Sequence, residues 1–552
     1  MEKSSFLEEI EKSFKNNWDL PALTDYHGST LHYKDVARRI AKLHILFNEC
    51  GLKKGDKVAI CGRNQANWGV VFFATLTYGA VAVPILHEFK SENIHHIVNH
   101  SEARILFVGD VVWESINERK MPNLEAIVIT GDFNIVHCRR PSIYAARERL
   151  NELFGKKYPK NFRPEHIAYH HDEPEELAII NYTSGTTGFS KGVMLPYRSL
   201  YSNLLFAREV LPELCRGSNV VAMLPMAHMY GMAFEFIYEI TEGCNVHFLT
   251  RVPTPKIIMD AFAEVKPKII ISVPLIIEKI YKKQLHPIIQ KTSIKMLLKL
   301  PVIDQKIRKK ILTSLNKVFG DNFIEIIIGG AAFNHEAEAF FRKIGFRYTV
   351  GYGMTECGPI ITYEDWKYTP LYSCGKAAPR MEVKIDSSDP ANIPGEILTR
   401  GPNVMLGYYR NEEATKDAFT EDGWMKTGDL AVMDANGYVY IKGRNKSMIL
   451  GASGQNVYPE EIEAVINNMP YVGESLVVEQ EGKLIALIVP DYDQTTAANI
   501  PDSGIARVME DIRVKVNEEL PTYAQIAAVK IFPEEFEKTP KRSIKRFMYQ
   551  NA

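Results

Sequence analysis

Tyr182-Thr183-Ser184-Gly185-Thr186-Thr187-Gly188-Phe189-Ser190-Lys191-Gly192 directly follows the apolar run Ala178–Asn181, which reads as a buried strand. The three glycines permit positive φ angles and close backbone approach. Hydroxyls and backbone N–H groups in such a loop wrap phosphate oxygens, and Lys191 adds positive charge. The spacing G-x-x-x-x-G-K-[ST] does not fit, so this is not a Walker A loop. A shorter glycine-serine-threonine run would be a plain turn. Eleven residues in this order point to a loop for nucleotide phosphate.

Nearer the N-terminus, Tyr33, Val36, Ala37, Ile40, Leu43 and Phe47 recur at helical spacing, and Gly51 follows as a stop. Short β-branched runs then alternate with helical stretches. Val58–Ile60, Val81–Pro84, Ile105–Val108 and Ala126–Thr130 read as buried strands, as do Val220–Met223, Lys268–Ser272 and Ile324–Ile328. Strands separated by helices predict a mostly parallel sheet covered on both faces, with ligands beyond the carboxyl ends of the strands. After Pro379 the grain changes to short antiparallel strands, Val383–Ile385, Gly395–Arg400 and a hairpin around Asp434-Ala435-Asn436-Gly437. Beyond Gly443 a compact tail has its own pattern. A helix starts near Pro459, strands follow at Ser475–Val478 and Leu484–Val489, a helix runs from Ile505 to Leu520, and a last strand lies at Val529–Phe532.

Composition excludes several classes. The 552 residues are 46% apolar and 24% charged, which rules out wholesale disorder. The 66 basic residues balance 67 acidic ones, which argues against a nucleic-acid binder. The seven cysteines (Cys50, Cys61, Cys138, Cys215, Cys244, Cys357 and Cys374) are odd in number and scattered, so neither a disulfide framework nor a structural zinc site is expected. His170-His171 has no partners at metal-ligand spacing and reads as a loop feature. The N-terminus lacks the apolar core of a signal peptide, and no apolar run approaches the ~20 residues of a spanning helix. These features predict a soluble, cytoplasmic protein.

Other motifs follow in a fixed order: Tyr78-Gly79-Ala80-Val81-Ala82-Val83-Pro84, Leu224-Pro225-Met226-Ala227-His228-Met229-Tyr230-Gly231, Gly329-Gly330-Ala331, Tyr352-Gly353-Met354-Thr355-Glu356, Thr427-Gly428-Asp429, Gly443-Arg444-Asn445-Lys446 and Tyr458-Pro459-Glu460-Glu461-Ile462-Glu463. With the loop at Tyr182, they resemble the adenylate-forming superfamily of acyl-CoA synthetases, luciferases and peptide-synthetase adenylation domains, over nearly the whole chain. Among these the tail resembles the long-chain fatty acid–CoA ligases. The resemblance implies an α/β fold. A large N-terminal adenylation domain, 1–442, is built of stacked α/β sheets plus a β subdomain. A small mobile C-terminal α+β domain spans 443–552 and turns about Lys446.

The resemblance also assigns roles. Thr183, Ser184, Gly185, Thr186, Thr187, Gly188 and Lys191 would hold ATP phosphates. Gly329, Gly330, Ala331, Tyr352 and Gly353 would receive the adenine. Asp429 would accept the ribose hydroxyls, as a carboxylate can, and Arg444 would make a second ribose or phosphate contact. Thr355 would donate to the α-phosphate, and Glu356 would help hold Mg²⁺, a metal content with carboxylate, phosphate and water oxygens. His228 lies at the position beside the acyl pocket. Gating, orienting the carboxylate and plain core packing all remain open for it. Cys357 reads as packing.

The family places a lysine near its end that reaches the substrate carboxylate, most often within P-K-T-x-x-G-K. Here the tail is Thr539-Pro540-Lys541-Arg542-Ser543-Ile544-Lys545-Arg546, without the glycine. It is closer to a T-P-T-x-K-x-K-R form, which makes Lys545 the catalytic candidate and Lys541 the runner-up. Ser447 and the lengthened loop Gly451–Gly454 also depart from the commonest pattern, and the loop would face CoA. Tyr281–Gly320 carries ten basic residues against one acidic, a local charge of +9. Apolar residues such as Ile294, Leu297, Ile307 and Ile311 lie between the charges. A solvated helical hairpin and a contact for anionic membrane at its inner face are both consistent with that composition. The expected function is ATP-dependent activation of a medium- to long-chain fatty acid through acyl-AMP to acyl-CoA, with Mg²⁺, ATP and CoA. The alternatives are transfer to a carrier protein or other acceptor, and a catalytically degenerate lipid-binding scaffold.

Overall fold

The computed structural model describes residues 5–183, 190–251, 253–281, 301–450, 456–539 and 544–550. Its largest sheet has eight strands in the order Gly407–Tyr408, Lys191–Pro196, Leu177–Thr183, Val81–Ile85, Lys57–Cys61, Ala103–Val108, Ala126–Ile129 and Ile135–Cys138. The inner strands, from Leu177–Thr183 to Ala126–Ile129, are parallel, and both flanks are antiparallel. The expected mostly parallel sheet is thus the middle of a mixed one. Leu177–Thr183 returns directly on Lys191–Pro196, with Thr183 opposite Lys191 and Tyr182 opposite Gly192. Antiparallel neighbours need no crossover helix, so the stretch expected to wrap phosphate joins two adjacent strands of one sheet. Its Ser184, Gly185, Thr186, Thr187 and Gly188 lie outside the described residues.

Helix Ala66–Tyr78 is apolar on nearly every side, and Trp68, Val70, Phe72, Phe73 and Leu76 are fully buried. Such a helix belongs inside. A Cβ on Gly69 would lie 2.9 Å from Phe236 and 3.2 Å from Leu23, so glycine permits the close packing there. Leu23 belongs to a second sheet, ordered Asn219–Ala222, Asn245–Phe248, Pro21–Asp25 and Thr30–His32. Helix Phe6–Asn16 closes over this region. Sequence reading passed over it, although Ser5 and Glu8 form a capping box that announces it.

Three further sheets carry the motifs. A parallel sheet of Ile270–Ser272, Ile326–Ile328 and Tyr348–Val350 ends in Gly329 and leads to Tyr352. Tyr352–Gly353 pairs with Ile360–Tyr363 and through it with Lys376–Ala377. Glu382–Asp386, Gly395–Arg400, Met425–Met433 and Val439–Arg444 form the expected antiparallel sheet. The C-terminal part has its own cores. Strands Val472–Gln480 and Lys483–Pro490 alternate, sending Val477, Ala486 and Ile488 against helices Pro459–Asn467 and Asp502–Glu519. Leu476, Val478, Ile485 and Leu487 pack on the opposite face with Phe536.

The described half of the basic segment is helix Pro301–Val318. Ile311 and Leu315 are buried in the domain core, while Lys306, Lys309, Lys310 and Lys317 are exposed. Along this helix the outward face therefore offers cations, and its buried apolar residues are spent on packing. Lys282, Lys283, Lys291, Lys295 and Lys299 lie outside the described residues. Among the described residues no helix is long and apolar enough to cross a membrane.

Candidate functional site

One cleft, about 3690 Å³, collects the motif segments. Thr183, Lys191, His228, Gly329, Gly330, Ala331, Tyr352, Gly353, Thr355, Glu356, Asp429, Arg444 and Lys545 all line it. Phe206, Leu211, Phe234, Leu249 and Ile276 give it an apolar wall.

The His228 segment is an irregular loop held by buried polar side chains. Asn64 donates to the Leu224 carbonyl (2.7 Å) and accepts from the Met226 N–H (2.9 Å). Asn181 donates to the Ala227 carbonyl (2.9 Å), and Glu235 Oε2 accepts from the Leu224 N–H (2.8 Å). Buried backbone groups outside regular structure need such partners. Full burial pushes the Glu235 carboxyl well above the usual carboxylate range. At the end of this loop His228 caps a short helix, its Nδ1 accepting from the Tyr230 N–H at 3.3 Å. Sequence reading missed Asn64, Asn181 and Glu235, because each acts on backbone far away or without a motif.

Gly329 ends its strand against the Tyr230 ring, where a Cβ would lie 3.1 Å from Cζ. The Tyr230 hydroxyl is itself fixed by donation to the Ile327 carbonyl at 3.0 Å. At Gly353 a Cβ would lie 2.2 Å from the Pro359 carbonyl oxygen, so no side chain fits where that backbone turns.

Asp429 faces Arg444 across an antiparallel pair and is nearly buried. Its Oδ1 meets Arg444 Nε at 3.1 Å, and its Oδ2 accepts from the Tyr352 hydroxyl at 2.6 Å. Burial raises the Asp429 carboxyl above its ordinary value, while Arg444 and Tyr352 act in the opposite direction. Tyr352 was expected only as an aromatic face for adenine, and its hydroxyl also orients the ribose candidate.

Glu356 sits on the buried turn Thr355–Cys357. Its Oε1 accepts from the Tyr408 hydroxyl at 2.9 Å, and Lys191 Nζ lies 4.8 Å from the centre of the same Tyr408 ring. Tyr408 also escaped sequence reading. Burial and Glu356 push the Cys357 thiol well above the ordinary range, in keeping with packing. No cluster of three or more His, Cys, Asp or Glu suited to a metal occurs among the described residues. Glu356 offers a single carboxylate, and among the described residues only its Oε1 accepts a side-chain hydrogen bond. That donor set fits Mg²⁺, which completes its shell with phosphate and water.

Lys545 lines the cleft but is paired with Glu537 Oε1 at 2.5 Å. No hydrogen bond joins it to His228, Thr355 or Glu356. Its neighbour Arg546 pairs with Glu463 and, at 3.6 Å, with Glu460. Lys541 and Gly451–Gly454 lie outside the described residues.

Residues 10–409 match the family model described as AMP-binding enzyme, and residues 461–542 match that described as AMP-binding enzyme C-terminal domain. The long-chain-fatty-acid–CoA ligase FadD15 of Mycobacterium bovis is 29% identical over 487 residues, which cover 82% of this chain and 76% of that protein. The anthranilate CoA ligase AuaEII in complex with anthranoyl-AMP superposes with a TM-score of 0.79 at 20% identity, over 99% of this chain and 96% of the other. The o-succinylbenzoate coenzyme A synthetase of Bacillus subtilis, in complex with ATP and magnesium ion, gives 0.75 at 20% identity over 98% and 99%. These structural likenesses establish the fold.

Proposed function

The chain belongs to the AMP-binding enzyme family, and on that premise we propose that it is an AMP-forming acyl-CoA synthetase for medium- to long-chain fatty acids. The observation that carries this reading is one cleft with two chemistries. Lys191, Glu356, Asp429 and Arg444 supply a charged wall, and Phe206, Leu211, Phe234 and Leu249 an apolar one. A nucleotide suits the first and an acyl chain the second. FadD15, a long-chain-fatty-acid–CoA ligase by name, supports the choice of acid.

The fatty carboxylate attacks the α-phosphorus of ATP, and pyrophosphate leaves. Two anions must approach, so cations aimed at them lower the barrier. Lys191 stands at the exit of the phosphate loop, and Thr355 can donate to an α-phosphate oxygen. His228, fixed by its clamped loop, orients the carboxylate. Asp429 accepts from the ribose hydroxyls with Tyr352 and Arg444 holding its oxygens. Glu356 would hold Mg²⁺, which when bound offsets phosphate charge. Lys545 releases Glu537 and reaches the reacting carboxylate. The C-terminal unit, 443–552, then turns about Lys446, CoA thiol attacks the acyl carbonyl, and AMP leaves. The exposed cations of helix Pro301–Val318 would hold the enzyme beside an anionic membrane, where such acids reside.

A panel from acetate to palmitate with ATP, Mg²⁺ and CoA tests the reading. Thioester and AMP formed in equal amounts, fastest for the longer acids, are expected. Pyrophosphate release with no thioester until a carrier protein is added would replace it with the carrier reading. Fatty-acid binding with no pyrophosphate release would replace it with the scaffold reading.

A further inference from the structure

Tyr408 lies between two groups of opposite charge. Its hydroxyl donates to Glu356 Oε1 at 2.9 Å, and Lys191 Nζ sits 4.8 Å from its ring centre. Lys191 and Glu356 make no direct ion pair. Opposite charges in a partly dry cleft attract strongly, yet here each of the two groups is engaged by Tyr408, the carboxylate by its hydroxyl and the ammonium by its ring. Its π face offers the ammonium a favourable seat, and its hydroxyl offers the carboxylate a strong donor.

The backbone fixes Tyr408 from both sides. Leu406 N–H donates to Met194 O (2.9 Å), and Tyr409 N–H donates to Gly192 O (2.7 Å), which zips the segment to the strand that begins at Lys191. Met405 N–H donates to the backbone carbonyl of Glu356 at 2.8 Å. The Tyr408 N–H is satisfied by Thr415 Oγ1 at 2.9 Å. At Gly407, with φ of +140°, a Cβ would lie 2.6 Å from Thr415 Cγ2, so the chain enters Tyr408 by a path closed to other residues.

We propose that Tyr408 is a positioning residue with two separable functions. Its hydroxyl orients Glu356 for the metal, and its ring keeps Lys191 from pairing with Glu356, so that Lys191 stays available to phosphate. The inference rests on the reading of Glu356 as the metal carboxylate.

The test uses the full-length protein, a non-hydrolysable ATP analogue, and Mn²⁺ as an EPR-visible probe. Tyr408→Phe loses a hydrogen bond to a charged group and should weaken Mn²⁺ binding about tenfold, leaving metal-free analogue affinity within about twofold. Tyr408→Leu should weaken both, because Lys191 falls onto Glu356. Adding Glu356→Gln to Tyr408→Leu should restore the metal-free affinity, since the competing carboxylate is gone. A merely structural tyrosine would give no such rescue. Wild-type Mn²⁺ affinity in Tyr408→Phe, with Glu356→Gln weakened, overturns the inference and leaves the metal reading standing. Wild-type Mn²⁺ affinity in Glu356→Gln overturns both. Loss of analogue affinity in Tyr408→Leu without rescue overturns the spacer function.

Discussion

Asp429→Asn should separate the ribose recognition proposed for this carboxylate from the rest of the site. A carboxylate has about four lone-pair positions, and an amide replaces one oxygen by a donor. Tyr352 occupies one position on Oδ2, and Arg444 occupies one on Oδ1. One position per oxygen remains, which matches the two ribose hydroxyls. Asparagine cannot keep both sets, because its NH₂ must face either the Tyr352 hydroxyl or the Arg444 guanidinium. The variant should lose one charge-assisted hydrogen bond to the nucleotide, about 1.5–3 kcal/mol. That corresponds to a rise in the KM for ATP of roughly 10- to 100-fold. Because the ribose does not react, this bond is equally strong in ground and transition states, so kcat should stay within about threefold. Pyrophosphate exchange driven by the fatty acid measures both constants. Repeating it with 2′,3′-dideoxy-ATP completes the cycle: wild type should lose affinity, and the variant should lose little more. An unchanged KM in folded Asp429→Asn, or an equal further loss with the dideoxy nucleotide, would refute the ribose assignment.

Lys545→Ala should abolish pyrophosphate exchange yet still convert supplied acyl-AMP and CoA to thioester; equal loss of both half-reactions, with Lys541→Ala as control, contradicts its role. Glu356→Gln should lower kcat and raise the Mg²⁺ concentration needed for half-activity at fixed ATP; an unchanged Mg²⁺ titration sinks the metal assignment. Replacing Lys306, Arg308, Lys309 and Lys310 with Gln should weaken binding to anionic vesicles by about 1 kcal/mol per charge at low salt, with activity on a soluble short acid retained. Wild-type protein that ignores such vesicles at low salt removes the membrane reading. Burial pushes the Glu325 carboxyl up to about 7 from the usual 4.5, only partly offset by the Tyr363 hydroxyl that bonds it. Below the usual value both folded and unfolded chains are protonated. As pH rises toward 7 only the unfolded chain ionises, so stability falls across that window and levels off above it. Glu325→Gln should remove about 3 kcal/mol of that fall, and urea-unfolding profiles that stay parallel for variant and wild type would contradict the burial argument.

Much of this arrangement is legible in the sequence, for a physical reason that also sets its limit. The strands read at Val81–Pro84 and Gly395–Arg400 were readable because β-branched runs and alternation report local burial, and they are found at Val81–Ile85 and Gly395–Arg400. The hairpin at Asp434–Gly437 was readable because its turn residues demand it, and Gly437 takes φ of +84°. The antiparallel flanks were not, since strand direction depends on which neighbour a strand meets. Asn64, Asn181, Glu235 and Tyr408 were illegible for the same reason. Asn64 serves carbonyl and N–H groups some 160 positions away, and no periodicity encodes such a partner. Ser5 with Glu8 marks the opposite case, a local signal present in the sequence and passed over.

Lys545 and Arg546 are adjacent, yet their partners divide two tasks. Arg546 is tied to Glu463, a carboxyl that burial raises to about 7 even against that guanidinium, with Glu460 alongside. Removing one member of a buried pair strands the other charge, so this contact anchors the tail within its own unit. Lys545 meets Glu537, whose side chain is 43% exposed. Water can replace either partner there, and exposed pairs contribute little to stability. The tail is thus fixed by the arginine and left free to exchange at the lysine. The role proposed for Lys545, leaving one carboxylate for another during adenylation, needs that division. A reversed assignment, with Lys545 buried against Glu463, would make each turnover break a desolvated pair. Exchanging the two residues should therefore preserve the fold of the unit less well than it preserves charge, and should abolish acyl-AMP formation.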